Sequence, residues 1–465
     1  MLSKVSRAER LFHEATRHLH EGNLLQAESG YRLALAHNPE LAEAHANLAY
    51  VLEQSHRLEE AECRYHAALN LNPGHVRILL NYGAMLASEK RFDEAEALYR
   101  QALVIDVHSC AVWSNLGVLL ACMKREAESE QCYRNALSID PEYRKAQFNL
   151  SYLLLRQGRF EEGWLRFEAR DWYERLATLI PCPRWQGEAL SGKSILITIE
   201  AGHGDMIQFC RYASFLQEAG ASKVSILCHP GLKRLFGTLS AVDEVIALGE
   251  PGVSDGWDYW VPLLSLPYWF KTGLITIPAG IPYLHANPER VARWAGQLAG
   301  PSRSLRVGLV WKGNPLFEND ADRSLPSLST LSPLWEVPGV TFYSLQKGAG
   351  EEEIEDDVET RPVIALGHLL EDFADTAALV INLDLVITVD TSVAHLAGAL
   401  GKSCWVLLPD YKPDWRWLAM RTDSPWYPKE MRLFRQAEPG DWSSTIRAVQ
   451  QSLLDLTGSA RPALV

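Results

Sequence analysis

The chain has 465 residues, which is too long for one ordinary domain and predicts about two or three. Hydrophobic residues make up 47% and charged residues 22%, a composition that predicts a globular protein and excludes a largely disordered one. The formal net charge is −13. This acidic balance argues against general nucleic-acid binding, because phosphate backbones attract cationic surfaces.

Eight cysteines are scattered along the chain without a C-x-x-C pair or a clustered Cys/His spacing. This distribution argues against a zinc site and a disulfide framework, and it is typical of a reducing compartment. The N-terminus is polar and helix-like and lacks the apolar core of a signal peptide, and no apolar run approaches the length of a membrane span. We therefore expect a cytoplasmic protein without a transmembrane segment.

Self-similarity at an offset of 34 residues dominates the N-terminal third. The recurring residues are tyrosines, small residues and prolines: Tyr31, Tyr65, Tyr99 and Tyr133; Ala34, Ala68, Ala102 and Ala136; Ala27, Ala61, Ala95 and Ser129; Pro39, Pro73 and Pro141, with Val107 as the one departure. Small residues let helices approach closely, and proline separates one helix from the next. The pattern is typical of tetratricopeptide repeats and predicts an α-solenoid over residues 1–178.

Four full repeats are followed by a fifth, atypical one in which Gly163-Trp164 replaces the usual alanine. Terminal repeats of solenoids often change because they cap the array or pack against something else. We expect this repeat to pack against the following domain.

Four asparagines also recur at 34 residues, on the first helix of successive repeats: Asn47, Asn81, Asn115 and Asn149. That helix lines the concave face of such a superhelix, where carboxamides could pair with the backbone of an extended peptide. In this column the repeats resemble those of the O-linked N-acetylglucosamine transferases, whose asparagine ladder holds protein substrates. The alternative is plain repeat consensus, since asparagine is common at this position of tetratricopeptide repeats.

Residues 185–455 change to an alternation of short β-branched runs and helical segments, which predicts parallel sheets covered on both faces. The predicted strands are 194–202, 223–229, 243–249 and 259–265, then, after a stretch rich in proline and glycine, 306–313, 341–348, 362–366, 385–391 and 404–409. We predict an α/β architecture of two Rossmann-like halves, residues 185–300 and 301–455, with a cleft between them as in the GT-B fold. Ligands of such sheets bind at the carboxyl ends of the strands.

The loop after the first of these strands carries a Gly-His-Gly-Asp sequence that ends at Asp205. Gly202 and Gly204 permit a tight turn before the next helix. The loop lacks the G-K-[ST] of a P-loop, and an acid at a helix start would repel phosphate, so we interpret Asp205 as a general base. The alternative is that Asp205 only caps the helix, which would stabilise it by about 1 kcal/mol.

The loop after the predicted strand 385–391 contains Thr391 and Ser392, with His395 one turn into the following helix. The free N–H groups and the dipole of a helix start attract anions, so this loop is a candidate diphosphate site. The alternative is a capping hydroxyl residue followed by a buried His395 packed against the sheet.

Together the two loops resemble those of the heptosyltransferases, glycosyltransferase family nine, and of repeat-fused bacterial proteins related to them. In that family a G-D pair supplies the catalytic aspartate, which matches Asp205 here. A D-T-G-x-x-H motif grips the donor diphosphate, and here it extends from Asp390 to His395 with Ser392 in place of the glycine. The resemblance covers residues 185 to 450 and implies a GT-B fold.

The resemblance implies two further donor contacts. A basic residue after the first strand of the second half contacts donor phosphate, and Arg323 is the closest match where the family more often has lysine. A glutamate that binds the nucleotide ribose corresponds to Glu351 or Glu352.

Other charged residues of the second half have weaker assignments. Lys312 and Lys347 each follow a predicted strand and could neutralise donor phosphates, or they could be solvated loop lysines. Asp320 and Asp322 have the spacing of a metal-binding D-x-D, but enzymes of the resembled architecture usually need no metal, so we predict no metal site. The segment 414–428, rich in Trp and Arg, is interpreted as packing or as part of the closure of the cleft.

We therefore predict an inverting glycosyltransferase without a cofactor, with a nucleotide sugar as donor and a protein hydroxyl, presented by the repeats, as acceptor. One alternative keeps this chemistry but transfers the sugar to a glycan or a lipid-linked core sugar, as heptosyltransferases do. Another is a catalytically inactive repeat scaffold. A Rossmann oxidoreductase is disfavoured because no G-x-G-x-x-G follows either first strand.

Overall fold

The computed structural model describes residues 7–250, 256–298, 304–355 and 363–459. The chain divides into two compact units, residues 1–153 and residues 154–465. The division falls within the predicted repeat array, and the two predicted α/β halves lie in one unit. The predicted boundary between residues 300 and 301 lies outside the described residues.

The first ten helices form five successive pairs, as the 34-residue period predicts. They are α1 (Arg7–His20), α2 (Leu24–His37), α3 (Ala42–Gln54), α4 (Leu58–Leu71), α5 (Val76–Ser88), α6 (Phe92–Ile105), α7 (Cys110–Cys122), α8 (Glu126–Ile139), α9 (Arg144–Arg156) and α10 (Phe160–Phe167). The fifth pair is the atypical one, because α10 has 8 residues where α8 has 14.

Each pair turns on one residue with a positive φ, and these residues are also 34 positions apart. They are Gly22 (φ 77°), His56 (57°), Lys90 (59°), Lys124 (61°) and Gly158 (78°). Glycine adopts this left-handed conformation without strain, whereas other residues pay about 1–2 kcal/mol for it. The three inner turns therefore carry a backbone strain that the two outer ones avoid.

The repeating tyrosines and alanines form the core of the first unit, as predicted. The rings of Tyr31, Tyr65, Tyr99 and Tyr133 are buried. A side chain at Gly117 would begin only 2.5 Å from the Tyr133 ring, and one at Gly83 only 2.6 Å from the Tyr99 ring. Tyr99 and Tyr133 thus fill the space that a glycine leaves on the neighbouring helix.

Residues 154–465 contain two parallel sheets. The first has the order β3-β2-β1-β4 and consists of β1 (Ser194–Thr198), β2 (Lys223–Cys228), β3 (Glu244–Ala247) and β4 (Tyr259–Pro262). The second has the order β10-β9-β8-β5-β6-β7 and consists of β5 (Leu305–Val310), β6 (Val340–Ser344), β7 (Val363–Ala365), β8 (Leu385–Val389), β9 (Cys404–Leu408) and β10 (Met431–Arg435). All nine predicted strands are confirmed, whereas β10 was not predicted.

Helices of 4 to 17 residues precede, connect and follow these strands. They are α11 (Glu174–Ala177), α12 (His203–Phe209), α13 (Ala213–Glu218), α14 (Lys233–Phe236), α15 (Leu266–Trp269), α16 (Pro288–Ala295), α17 (Asp320–Arg323), α18 (Glu352–Glu355), α19 (Phe373–Ile381), α20 (Ser392–Ala399) and α21 (Ser443–Ser459). Single 3-10 turns cover Cys210–Tyr212, Pro230–Leu232, Leu263–Ser265, Gly367–Leu369 and Trp415–Trp417, and a longer one covers Leu328–Glu336. The parallel strands and their helical crossovers establish an α/β fold.

The fifth repeat packs against the α/β elements through Trp164, as its altered sequence predicts. The buried indole of Trp164 donates its N–H to the Thr272 carbonyl at 3.0 Å. Its ring meets Trp415 edge to face, with centroids 5.2 Å apart, and it also contacts Phe209 at the end of α12. The atypical residue therefore supports two segments that carry candidate site residues.

Candidate functional site

Asp205 lies at the start of α12, in the loop that follows β1. Its Oδ2 accepts the backbone N–H of Gly202 at 2.8 Å, and Gly202 is the N-cap residue of the helix. The carboxylate therefore closes the first turn of α12, as the alternative interpretation of this residue expects. Its side chain is 20% exposed.

Thr391 and Ser392 lie at the start of α20, immediately beyond the carboxyl end of β8. Thr391 is the N-cap residue, and its hydroxyl accepts the N–H of Val393 at 3.3 Å and contacts the Thr388 hydroxyl at 2.9 Å. Both Thr391 and Ser392 are half-buried. The sequence motif thus begins a helix at a strand end, where the free N–H groups of its first turn favour an anion.

The structure brings these two loops into contact, although they follow strands of different sheets. A side chain at Gly204 would begin 3.4 Å from the Cα of Ser392 and 3.0 Å from the ring of His395. Glycine at position 204 therefore permits the start of α12 to lie directly on α20. This close approach places Asp205, the next residue, beside the candidate diphosphate site.

His395 is buried beneath the start of α20. Its ring stacks on Trp417 with centroids 5.3 Å apart, and its Nδ1 lies 3.2 Å from the Tyr427 hydroxyl. Burial, together with the charges of Arg416 and Arg211, lowers the pKa of His395 well below its ordinary value, so the imidazole is neutral at pH 7. These contacts match the alternative interpretation, a capping threonine followed by a buried histidine. A diphosphate contact from His395 stays a prediction and would be a hydrogen bond from an uncharged ring.

Arg416 is a member of this cluster that the sequence did not identify. Its Nη2 donates to Oδ1 of Asp205, its Nε donates to Gln208 at 2.6 Å, and its Nη1 donates to both oxygens of Asp414 at 3.1 and 2.9 Å. The side chain is 9% exposed. Its link to Asp205 joins positions 211 residues apart, so no local pattern in the sequence could have indicated it.

Asp390 and Arg323 complete the cluster. Burial and the nearby Asp414 carboxylate raise the pKa of Asp390 to about 6, while the charges of Arg323 and Arg416 oppose the rise. Arg323 ends α17, and its Nε donates to Asp320 at 3.0 Å. The predicted diphosphate ligand Arg323 therefore acts on the same carboxylate that precedes α20.

The weaker donor predictions fall on separate contacts. Nζ of Lys312 donates to the Pro326 carbonyl at 3.0 Å and pairs with Glu353 at 3.1 Å. Lys347 is exposed. Glu352 is exposed and accepts the Gly350 N–H at 3.0 Å. These three assignments stay predictions.

A surface cavity of about 390 Å³ lies between the residues that follow β2 and those that precede α19. It is lined by Pro230, Gly231, Lys233, Arg234, Glu371 and Asp372. Among the described residues that line it, none is a predicted site residue. The rings of His229, His203 and Phe373 stack next to it, with centroids 4.3 and 5.1 Å apart.

The repeating asparagines are half-buried, and three of them make contacts within the repeats. Nδ2 of Asn47 donates to the Tyr31 hydroxyl at 3.2 Å, and Asn115 hydrogen-bonds Tyr99 in the same register. Nδ2 of Asn149 lies 3.3 Å from the Ser114 hydroxyl. Each carboxamide has further hydrogen-bonding capacity. A structural role in the repeat is shown, and peptide binding stays a prediction.

Comparison with known families agrees with this arrangement of helices. Residues 55–106 and 127–181 match the family described as tetratricopeptide repeat. The N-terminal helices are tetratricopeptide repeats. The second match extends through α10, so this helix belongs to the repeats by sequence although it lies in the same unit as the α/β elements.

Among curated proteins the chain is similar to Protein FlbA of Caulobacter vibrioides, with 31% identity over 337 residues. The match covers 67% of this chain and 55% of FlbA, so the chain spans just over half the length of that relative. The matched share of this chain is larger than the repeats account for, so the similarity includes α/β residues.

Solved structures that resemble the chain include PilF of Pseudomonas aeruginosa, with a TM-score of 0.34, 24% identity, and coverage of 37% of this chain and 83% of that one. They also include PilW, a type IV pilus biogenesis factor, with a TM-score of 0.34, 18% identity, and coverage of 39% and 80%. Yeast Tom70 has a TM-score of 0.33 and 19% identity, and covers 37% of this chain and 38% of its own.

In the part of the chain that the structure describes, no helix is both long and apolar enough to cross a membrane. Within the same ranges, no group of three or more His, Cys, Asp or Glu side chains is arranged to hold a metal ion.

Proposed function

We propose that the α/β residues form a glycosyltransferase of the GT-B type and that the repeats present its acceptor, most simply a protein hydroxyl. One observation carries this proposal: the loop of Asp205 after β1 lies against the start of α20 after β8. Ligands of parallel α/β sheets bind at the carboxyl ends of strands, and here two such ends supply a carboxylate and a helix start to one place.

In the proposed reaction the acceptor oxygen attacks the anomeric carbon of the donor sugar, and the bond from that carbon to the diphosphate oxygen breaks. Asp205 takes the acceptor proton, and the nucleoside diphosphate leaves with the bonding electrons. The N–H groups at the start of α20, with Thr391, Ser392 and Arg323, offset the charge that grows on the leaving group. Attack from the face opposite the diphosphate inverts the configuration at the anomeric carbon.

The proposed protein acceptor rests on the repeats. Tetratricopeptide superhelices offer an extended concave surface, and the half-buried carboxamides of Asn47, Asn81, Asn115 and Asn149 recur on the first helix of four successive repeats. A small glycan acceptor would make little use of such a surface. A protein that binds the repeats and gains the mass of one sugar would support this acceptor, whereas transfer only to a glycan would favour the heptosyltransferase-like alternative.

A catalytically inactive binding protein is the second candidate, and one observation favours it. The Asp205 carboxylate is already engaged by Arg416 and by the N–H of Gly202. In this second candidate, the carboxylate holds the two loops together and takes no proton.

The test combines donor binding with sugar transfer, using wild type and Asp205→Asn. A nucleotide sugar that binds the folded protein raises its unfolding temperature, and a panel of these donors identifies the nucleotide. We expect Asp205→Asn to retain this shift and to lose transfer by about 10²–10⁴-fold, the usual contribution of a general base. The exposed Glu218 at the end of α13 supplies a control, because Glu218→Gln should keep both activities. Transfer by Asp205→Asn near the wild-type rate would refute the base assignment, and the absence of any donor shift would favour the inactive scaffold.

A further inference from the structure

Arg416 holds the candidate base in place through a fully occupied guanidinium group. All three of its nitrogens donate, Nη2 to Asp205, Nε to Gln208 and Nη1 to Asp414. The guanidinium also lies over the Trp415 ring, 4.6 Å from its centroid. It therefore connects the loop after β1 with the segment after β9.

This ion pair opposes the role of Asp205 as a base. The guanidinium of Arg416 donates to Oδ1 of Asp205, an atom to which an acceptor hydroxyl would have to donate. In addition, the second carboxylate oxygen accepts the Gly202 N–H at 2.8 Å. In the arrangement seen here, both oxygens of Asp205 already accept a hydrogen bond, so an acceptor hydroxyl has to compete with these partners.

Arg416 also lies close to the candidate diphosphate site. The next residue, Trp417, stacks on His395 of α20, and Gly204, which precedes Asp205, meets Ser392 and His395. Each member of the Asp205–Arg416 pair is thus next in the chain to a residue that packs on the first turn of α20.

Two cations at this site are already paired with carboxylates. Among the described residues, the arginines whose charges act on Asp390 are Arg323, paired with Asp320, and Arg416, paired with Asp205 and Asp414. A bound diphosphate can therefore gain the full charge of either of these two arginines only by displacing a carboxylate. Guanidinium binds phosphate and carboxylate groups with the same planar, forked geometry, so one side chain can exchange one anion for the other.

We propose that the Arg416 guanidinium holds Asp205 while the site is empty and moves to the donor diphosphate when the donor binds. This movement frees Asp205 to act as the base. This inference rests on the proposed function. It makes Arg416 a diphosphate-binding residue, and it makes the base available only after the donor has bound.

The test is a double-mutant cycle on nucleotide affinity in the full chain. UDP, GDP, ADP, CDP and dTDP are each titrated calorimetrically into wild type, Asp205→Asn, Arg416→Gln and the double variant. We expect Asp205→Asn to bind the preferred diphosphate about tenfold more tightly than wild type, because the guanidinium no longer has to leave a carboxylate. Arg416→Gln should bind at least about tenfold more weakly, and the gain from Asp205→Asn should vanish in the double variant.

Two further variants guard against a general loss of structure. Arg416→Lys, which keeps the charge but not the fork, should recover part of the affinity. Arg421→Gln removes an arginine of the same segment that pairs with Asp423 on the surface, and it should stay within about twofold of wild type.

The outcomes separate the inference from the proposed function. If a diphosphate binds wild type but neither Asp205→Asn nor Arg416→Gln changes its affinity, the exchange of partners is wrong and the proposed function survives. If Arg416→Gln does not fold, an unchanged affinity in Asp205→Asn is enough to overturn the exchange. If no diphosphate binds any folded variant, both the inference and the proposed function fail.

Discussion

The buried ion pair between Arg170 and Glu200 gives a sharp prediction about what holds the Asp205 loop. Glu200 lies two residues beyond β1, and Arg170 follows α10; neither side chain is exposed. Nε of Arg170 donates to Glu200 at 2.5 Å and Nη2 donates to its other oxygen at 3.1 Å. The same guanidinium donates to Glu168 at 2.7 Å and to the Ser265 hydroxyl at 2.8 Å.

Removing one partner of such a buried pair should lower the free energy of unfolding far more than removing both partners together. Arg170→Met leaves the Glu200 carboxylate buried without its cation, which we expect to lower the free energy of unfolding by about 3–5 kcal/mol. Glu200→Leu leaves Arg170 with one carboxylate fewer and should also destabilise. The double variant should cost less than the sum of the two by at least about 2 kcal/mol, because a buried pair replaced by apolar residues leaves no isolated charge.

Urea unfolding followed by tryptophan emission measures this effect where it occurs. Of the 15 tryptophans, only Trp113 lies in residues 1–153, so the signal reports the unit that contains the ion pair. The exposed pair of Lys223 and Glu244 has a similar length, 2.7 Å, and Lys223→Met should change stability by less than about 1 kcal/mol. Two outcomes would show that the buried pair does not act in this way. One is additive losses of unfolding free energy in Arg170→Met and Glu200→Leu; the other is a loss in Arg170→Met no larger than that in Lys223→Met.

Three further predictions concern the turns and the titrating groups. His56→Gly should stabilise the repeats by about 0.5–1 kcal/mol, because glycine adopts the left-handed φ of this turn without strain. Gly22→Ala should destabilise them by about 1 kcal/mol, because alanine is strained at this φ even though its new methyl group would meet open space. Chemical unfolding followed by circular dichroism measures both changes. Because the pKa of Asp390 is raised to about 6, the folded protein loses stability as the pH rises from about 4 to 6. Asp390→Asn should remove at most about 3 kcal/mol of that loss. An equal pH dependence of stability in wild type and Asp390→Asn would contradict the assignment. Because burial and the charge of His229 lower the pKa of His203 to about 4, stability present above about pH 6.5 is lost as pH falls toward 4, and His203→Phe should show a smaller loss in thermal unfolding over that range.

The repeats were predictable because a given position has the same structural surroundings in successive repeats and therefore the same type of residue. A tyrosine at one position and a small residue at another recur at a fixed offset, and the structure packs Tyr133 against Gly117 as it packs Tyr99 against Gly83. Nine strands were predictable for a similar local reason, since short runs of β-branched residues follow helical segments. The strand β10 was missed because two arginines interrupt the apolar run in its sequence, MRLFR, whereas the predicted strands were identified from uninterrupted runs.

The candidate site was less predictable because its contacts join distant parts of the chain. The sequence indicated Asp205 and the start of α20, but their contact depends on the absence of a side chain at Gly204. The ring of His395 packs on Trp417 and contacts the Tyr427 hydroxyl, and the partner of Asp205 is Arg416. These residues lie in the segment 414–428, whose aromatic side chains alone indicated only packing.

We propose that a donor diphosphate binds at the start of α20 beside Asp205. A crystal structure of the full chain with the nucleoside diphosphate that binds it most tightly would locate this ligand. We expect phosphate oxygens within hydrogen-bonding distance of Thr391 and Ser392, with the Arg416 guanidinium moved from Asp205 to the diphosphate. A diphosphate bound instead in the cavity lined by Arg234 and Asp372, with the Arg416–Asp205 pair intact, would contradict it.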